Sequence, residues 1–347
     1  YKSRAGSIKP TLHWGQRKLH LSEIEFLTIY YNEYHKKGKK VILVYAGAAA
    51  GTHLIHLSEM FPEVQFKLYD PRPFDKNLDT VKQIETFNQL FLDEDAKQWN
   101  SKKYPNTDIL LVSDIRTGEP GKMTKGEVNE RVSTDHEWQK NWYRLIKPTL
   151  TLLKFRLPWD TGKTPYLEGD IYIQVWAPHT STETRLLVKG PNAKIVQYDN
   201  TKYEEQLMYF NNICRVSNYP KDAISGISIN FHSPKLSGGL SNKYDSMAEI
   251  KILYDYLLFA DKKMRKLPNS KKVSKVVELS KRVSKILHKQ RTLVSGNILK
   301  QVQRDLLIHL SKIGLIPSTA PINYGTYEKY VTPNIVKWRK DGFVLYL

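Results

Sequence analysis

The chain runs to 347 residues, and its 54 lysines and arginines exceed its 35 acidic residues by enough to leave a formal charge of +19. That length can bury a full core, as one large α/β domain or one domain with an appendage, and that charge points to a polyanionic partner. A single cysteine, Cys214, excludes an intrachain disulfide, the ten histidines show no zinc-ligand spacing, and no apolar run approaches the ~18 residues of a membrane span. A soluble, metal-free protein of a reducing compartment is expected, with no membrane partner.

In chain order, residues 1–20 are basic and turn-rich, and an amphipathic helix follows on Leu21, Ile24, Phe26, Leu27, Tyr30 and Tyr31, with Ser22 as a candidate cap. After a solvated turn comes the run Val41–Ala46, apolar and rich in β-branched residues, which predicts a buried parallel strand. Gly47-Ala48-Ala49-Ala50-Gly51-Thr52-His53 then reads as a tight turn into a helix, the form of a nucleotide-cofactor loop. A glycine turn between strand and helix also serves packing alone. The G-x-x-x-G spacing fits neither the dinucleotide fingerprint nor a phosphate loop, and no Gly-Lys-Ser/Thr follows. Without a phosphate-gripping lysine the loop suits a cofactor lacking phosphates, such as S-adenosylmethionine.

A second strand, Val64–Tyr69, closes in Asp70, placed where a carboxylate grips ribose hydroxyls. Pro71–Asp75 forms a loop, Phe87–Leu92 a short strand, and Asp93-Glu94-Asp95 opens a helix. Ile109–Ser113 is a further strand, closing in Asp114-Ile115-Arg116. Two strands thus end in aspartate followed by arginine, which points to a site at one sheet edge. Thr117–Thr134, polar with three glycines, reads as a mobile loop, and His136–Leu153 as a helix bent near Pro148. Leu152–Leu157 and Asp170–Trp176 read as strands, Lys202–Arg215 as a helix, Ile227–Phe231 as a strand and Ser246–Lys263 as a helix. Strands alternating with helices predict an α/β fold with a doubly wound, mostly parallel sheet.

Beyond Pro268 the composition shifts. Between Lys271 and Arg291 stand eight Lys/Arg and one acid, Glu278, with valines at helical spacing. Such a helix presents either a solvated charged face or a phosphate-contacting one. Asn297–Ile313 reads as one more helix and Ile316–Leu347 as an aromatic tail. The division expected is 1–264 for the α/β domain and 265–347 for a basic helical extension.

Five motifs stand in order: Gln16-x-Lys18, Gly47-x-x-x-Gly51-Thr52-His53, Ser113-Asp114-Ile115-Arg116, Leu153-Lys154-x-Arg156, and Ala177-Pro178-x-x-Ser181-x-Glu183-x-Arg185-Leu186-Leu187. Together they resemble the poxvirus-type cap-specific mRNA (nucleoside-2′-O-)-methyltransferase, a family that in poxviruses is also the regulatory subunit of poly(A) polymerase. The resemblance covers roughly residues 14–262, with a weaker match near Asp305–Pro317. It implies a Rossmann-like, S-adenosyl-L-methionine-dependent fold, conversion of cap-0 to cap-1 RNA, and a large DNA virus as source, acting in the host cytoplasm or virion. Capped single-stranded RNA is the implied substrate and a poly(A) polymerase catalytic subunit an implied partner.

The family's catalytic set falls on Lys18, Asp114, Lys154 and Glu183, with Lys154 as proton acceptor. Such a set suits attack of an unactivated 2′-hydroxyl on a sulfonium methyl, provided the lysine's pKa is depressed by a second lysine and by desolvation. Cofactor contacts carry over onto Gln16, Tyr45, Gly47, Gly51, Asp70, Arg72 and Asp114, and onto Leu92, where the family has valine; the family's loop proline is Ala50. Cap and RNA contacts carry over onto Arg156, Trp159, Asp160, Ser181, Thr182 and Glu204, since a cationic guanine stacks on aromatic rings and offers N–H donors to carboxylates. The family's second aromatic stands at Thr180 here, so Tyr203 or Tyr1 is expected to replace it. A non-catalytic RNA-binding or polymerase-accessory subunit with the same fold is the alternative, and a Rossmann oxidoreductase a more distant one.

Overall fold

The structure, a computed structural model, describes residues 15–118, 122–220, 222, 224, 226–231, 237, 239–287, 308, 311, 312, 317, 319 and 321. Tyr1, Lys289 and Arg291 lie outside the described residues, as do the expected helix from Asn297 and the aromatic tail apart from those isolated positions. Two compact units emerge. Among the described residues, a sheet unit holds 26–173 and 182–204, and a helical unit holds 15–25, 174–181 and those from 205 on.

The strands are β1 (Lys40–Ala46), β2 (Val64–Tyr69), β3 (Ile84–Phe87), β4 (Thr107–Ser113), β5 (Leu150–Phe155), β6 (Lys163–Leu167), β7 (Asp170–Tyr172), β8 (Thr184–Lys189) and β9 (Ile195–Asp199). Seven of them form one sheet in the order β3-β2-β1-β4-β5-β8-β7, parallel as far as β5 and antiparallel at β8 and β7; β6 and β9 pair separately. The architecture is thus α/β with a mostly parallel sheet. In β1, Val41, Leu43, Val44 and Tyr45 are all buried, so both faces of the strand are covered, as its unbroken apolar run requires. Each such side chain contributes about 1.5–3 kcal/mol on burial. From β1 the chain moves outward to β2 and β3, then returns to β4 and β5 on the other side. The connections that leave the carboxyl ends of β1 and β4 therefore run in opposite directions and open a crevice above the paired strand ends.

Helices α1 (Gly15–Ile29), α2 (Leu54–Met60), α3 (Asp93–Gln98), α4 (Lys125–Ile146) and α5 (Asn200–Tyr209) alternate with the strands. α1 begins inside the segment expected to be turn-rich, and α4 replaces much of the expected loop. Thr124 caps α4: its hydroxyl accepts from the Glu127 amide and the Glu127 carboxylate accepts from the Thr124 amide. That reciprocal box offsets the cost of Gly126 in the first turn. The buried side of α4 is largely polar, with Asn129, Asp135, His136, Gln139 and Lys140 beside Val128, Trp142, Tyr143 and Ile146, so it shows little apolar periodicity. The helix ends at Lys147, in a left-handed conformation (φ 55°) just before Pro148, and β5 begins two residues beyond the proline.

Three further expectations are corrected. The strand placed at Phe87–Leu92 ends at Phe87, because Gln89–Leu92 turns outward and leaves Leu90 and Leu92 exposed at 61% and 52%. The strand placed at Asp170–Trp176 ends at Tyr172, since Trp176 takes a positive φ (62°) and cannot continue a ladder. Residues 227–231 form no strand.

In the helical unit, α6 (Tyr244–Ala260) and the basic α7 (Asn269–Ile286) meet the start of α1 around a buried ionic cluster. Arg17 binds both carboxylate oxygens of Glu249, its Nη1 donates to Ser284 Oγ at 2.9 Å, and its Nη2 reaches Ser280. Trp176 Nε1 donates to the same Glu249 at 2.8 Å. Val276, Val277 and Val283 supply the apolar side of α7.

Candidate active site

The loop after β1 is built around two glycines at positive φ, Gly47 at 84° and Gly51 at 74°. A Cβ at Gly47 would stand 3.0 Å from the backbone of Asp114 and Ile115, so only glycine lets the end of β1 close against the end of β4. Asp70, at the end of β2, is buried. Its Oδ2 accepts from the Ala49 amide at 3.1 Å and from Arg72 Nη2 at 2.9 Å; its Oδ1 accepts from Arg72 N at 2.9 Å and Nε at 3.0 Å. Burial alone would raise the Asp70 carboxyl, but the Arg72 and Ala49 bonds outweigh it and hold it below the ordinary range. Four bonds fill a carboxylate's four lone-pair positions. Two come from the Arg72 guanidinium, whose side chain is 70% exposed. Leu92 stands exposed at the start of α3, its amide tied to Asp95, and Tyr45 is buried within β1.

One strand over, the ends of β4, β5 and β8 converge. Lys154 Nζ lies 2.9 Å from Asp114 Oδ1 and 3.7 Å from Glu183 Oε2. Arg185 Nη2 lies 2.7 Å from the same Asp114 oxygen and 3.8 Å from Glu183 Oε1. Lys154 and Arg185 are directly opposed in the β5–β8 ladder, so two cations share one face and two carboxylates separate them. Burial favours the neutral form of Asp114, yet Lys154 and Arg185 overcome it and keep the carboxyl low. Three of the four expected catalytic residues are therefore brought together. No role is assigned to Arg185 from the sequence, although it lies two residues after Glu183, at the start of β8 (Thr184–Lys189), directly opposite Lys154.

Beside this cluster a small open cleft is lined by Ile115, Arg116, Asp135, Lys154, Arg156 and Glu183, among others. Asp135 accepts from the Thr117 amide at 3.1 Å and hydroxyl at 2.8 Å and so anchors the segment after Asp114; burial lifts its carboxyl above the ordinary range. The Arg156 guanidinium stacks 3.6 Å over the Trp159 ring, and burial lowers its pKa although Glu183 and Glu204 stand near enough to oppose the shift. Arg156 Nε and Nη2 have no hydrogen-bond partner among the described residues. Trp159 Nε1 approaches Thr182 Oγ1 at 3.4 Å, and Asn129 accepts from the Trp159 amide at 3.0 Å while donating to the Asp160 carboxylate. Asp160 also faces Lys125, at 3.4 Å.

Tyr203 does not replace the missing second aromatic. It is buried, its ring edge-on to Phe155, and its hydroxyl lies 2.7 Å from Thr182 O and 2.9 Å from Thr184 Oγ1. A ring committed to the core offers no face to a ligand. Gln16, Lys18 and Ser181 belong to the helical unit: Gln16 is exposed and Lys18 nearly buried on α1, and the Ser181 carbonyl accepts from Asn211 at 2.7 Å. Asn129 carries no sequence signal because it lies in the part of α4 expected to be a loop, and Asp135 falls between that loop and the helix expected from His136.

A family model of the poly A polymerase regulatory subunit matches residues 2–289. The chain belongs to that family. Two similar relatives are the cap-specific mRNA (nucleoside-2′-O-)-methyltransferases of myxoma virus strains Lausanne and Uriarra. Each is 28% identical to this regulatory-subunit family member over 215 residues, 58% of this chain and 62% of the relative's own length. Among solved structures, bluetongue virus VP4, described as a multifunctional RNA-capping production line, superposes with a TM-score of 0.39 at 14% identity, covering 60% of this chain and 32% of that one. That likeness is too slight to bear on fold or function.

Proposed function

We propose that this chain is an mRNA cap-specific 2′-O-methyltransferase that uses S-adenosylmethionine to methylate the 2′-hydroxyl of the first transcribed nucleotide of capped single-stranded RNA. The observation that carries the reading is the Lys154 amine set between Asp114 and Glu183 at the carboxyl edge of a parallel sheet, at a cleft that also holds Arg116 and Arg156. An RNA-binding accessory protein gains nothing from a lysine held between carboxylates beside such a cleft. The family and the names of the myxoma virus relatives agree with it.

The cofactor's fit rests on the loop. No lysine or arginine stands between Ala46 and Ile55, which suits a ligand without phosphates, and the buried Asp70 carboxylate suits a ribose diol once the Arg72 guanidinium swings aside. Gly47, Gly51, Leu92 and the backbone of Tyr45 would form the remaining walls. S-adenosylmethionine, when bound, supplies an electrophilic methyl group on sulfonium.

The rest of the chemistry belongs to the chain. Asp114 and Glu183 orient the Lys154 amine, whose lone pair in its neutral form accepts the 2′-hydroxyl proton as the oxygen attacks. Arg185, permanently charged, keeps Asp114 ionised throughout and so fixes the lysine's acceptor. Lys18, on α1 of the helical unit, carries a catalytic assignment from the family motif alone. Trp159, backed on one face by Arg156, offers its other face to the cap guanine, while Glu204 and Asp160 supply carboxylates; Ser181 and Thr182 follow the RNA. A poly(A) polymerase catalytic subunit is the partner proposed from the family's description.

The test is methyl transfer to cap-0 RNA, with nuclease digestion to locate the methyl group. A 2′-O-methyl on the first nucleotide of capped RNA alone is expected. RNA binding without methyl transfer would instead assign the chain to the accessory reading.

A further inference from the structure

We infer that the basic surface of α7 and the turn before it is a docking track for the single-stranded RNA body, separate from the recognition of the cap. Between Asp261 and Ile286 stand ten Lys/Arg and only two acids, Asp261 and Glu278, and nine of the ten are exposed. In the helix, Lys271, Lys275, Arg282 and Lys285 follow one another at spacings of four, seven and three residues, which sets them in a single stripe with Glu278 at its middle. At the helical rise of 1.5 Å per residue the stripe is about 21 Å long, enough to follow about three phosphates of an extended single strand.

Two observations separate this surface from an ordinary solvated face. Within the stretch itself acids are sparse, two carboxylates for ten cations, and one of the two, Asp261, pairs with Lys275 at 3.2 Å. The stripe is also rigidly mounted. Behind it, Val276, Val277 and Val283 are buried, and Ser280 and Ser284 lock onto the Arg17–Glu249 pair. Like charges fixed on a rigid element cannot relax apart, and a polyanion relieves their repulsion with little further ordering cost. RNA is the occupant because it is the polyanion on which the proposed activity works. The inference rests on that reading for this choice alone.

The test uses the full chain and an uncapped oligoribonucleotide, with affinity measured across a salt series. Reversing Lys271, Lys275 and Lys285 to glutamate is expected to flatten the slope of log affinity against log salt by about two, at about 0.7 for each phosphate no longer neutralised. At low salt the affinity is expected to fall by at least tenfold. The same three positions changed to glutamine, with thermal unfolding of both variants, guard against misfolding and are expected to give the same change in slope. Methyl transfer to a short capped dinucleotide is expected to stay at the parent level. If parent and variants share one slope and one affinity, or if polyglutamate binding falls as much as RNA binding, the track is overturned. Absence of methyl transfer by the parent protein overturns the proposed activity instead and leaves the salt slopes to be judged by themselves.

Discussion

Lys154 and Arg185 approach the same oxygen, Asp114 Oδ1, at 2.9 Å and 2.7 Å, so one carboxylate holds two cations from neighbouring antiparallel strands. Removing the lysine leaves Asp114 paired to Arg185, and the fold survives. Lys154→Ala is therefore expected to lose methyl transfer by at least about a hundredfold, the lower end for general-base loss, while S-adenosylhomocysteine binding stays near that of the parent. Calorimetry beside a transfer assay checks both halves. Retention of a tenth or more of the activity contradicts the role.

Asp70 carries the opposite expectation. Hydrogen bonds to a charged acceptor are worth about 1.5–3 kcal/mol each, so removal of the ribose acceptor in Asp70→Ala is expected to weaken S-adenosylhomocysteine at least about tenfold. The Ala49 amide loses its acceptor at the same time, which adds to the effect. An unchanged dissociation constant by calorimetry would place the ribose elsewhere.

Asn129 is the brace of the cap loop, because an amide can both accept from the Trp159 N–H and donate to the Asp160 carboxylate. Asn129→Ala removes two bonds of about 1 kcal/mol each, and cap-analogue affinity is expected to fall by about three- to thirtyfold. Maximal turnover at saturating RNA is expected to hold, since nothing at Lys154 moves. Steady-state kinetics separate KM from kcat, and a fall confined to kcat would sink the assignment.

Arg17 and Glu249 are both buried, so breaking the pair strands a charge in the helical unit. Either Arg17→Met or Glu249→Gln alone is expected to cost about 3–5 kcal/mol of stability, and joint replacement of both by apolar residues much less. Denaturant unfolding of the three variants reads this directly. Equal losses in single and double variants would show that the pair does not act as a unit.

How much of this was legible beforehand depended on where polarity sits. β1 announced itself because both its faces are buried and every residue from Val41 to Ala46 is apolar. α4 did not, because its buried face carries Asn129, Asp135, His136 and Gln139, and its only clear signal, the Thr124–Glu127 box, lay among glycines. β8 was hidden inside a motif quoted for its chemistry. The site was legible through Asp114, Lys154 and Glu183 because each stands inside a motif shared with the family; Asn129 and Asp135 stand in none, and their work lies wholly in geometry. Tyr203 misled for a related reason, since a tyrosine beside Glu204 in sequence points into the core once the helix is formed.

His136 gives the pH dependence a sign. Packed between Phe155 and Tyr166, it is held neutral by burial, its pKa lowered to about 3. The unfolded chain binds that proton below about 6.5, so stability is full above that pH and drains as pH falls toward the folded value, by up to about 1.4 kcal/mol per pH unit. His136→Leu is expected to flatten the stability curve across that window. Parallel curves for parent and variant would refute the assignment.

The opposition of Lys154 and Arg185 in an antiparallel ladder also determines where this chain tolerates insertions. Successive strand residues face opposite ways, so one extra residue between Thr184 and Arg185 turns Arg185 away from Asp114 and puts the inserted side chain opposite Lys154 instead. The same insertion in the exposed turn after Gly190 leaves the ladder untouched, because β8 has already ended. Length variation among functional variants of this protein should therefore gather in that turn and stop abruptly at Lys189.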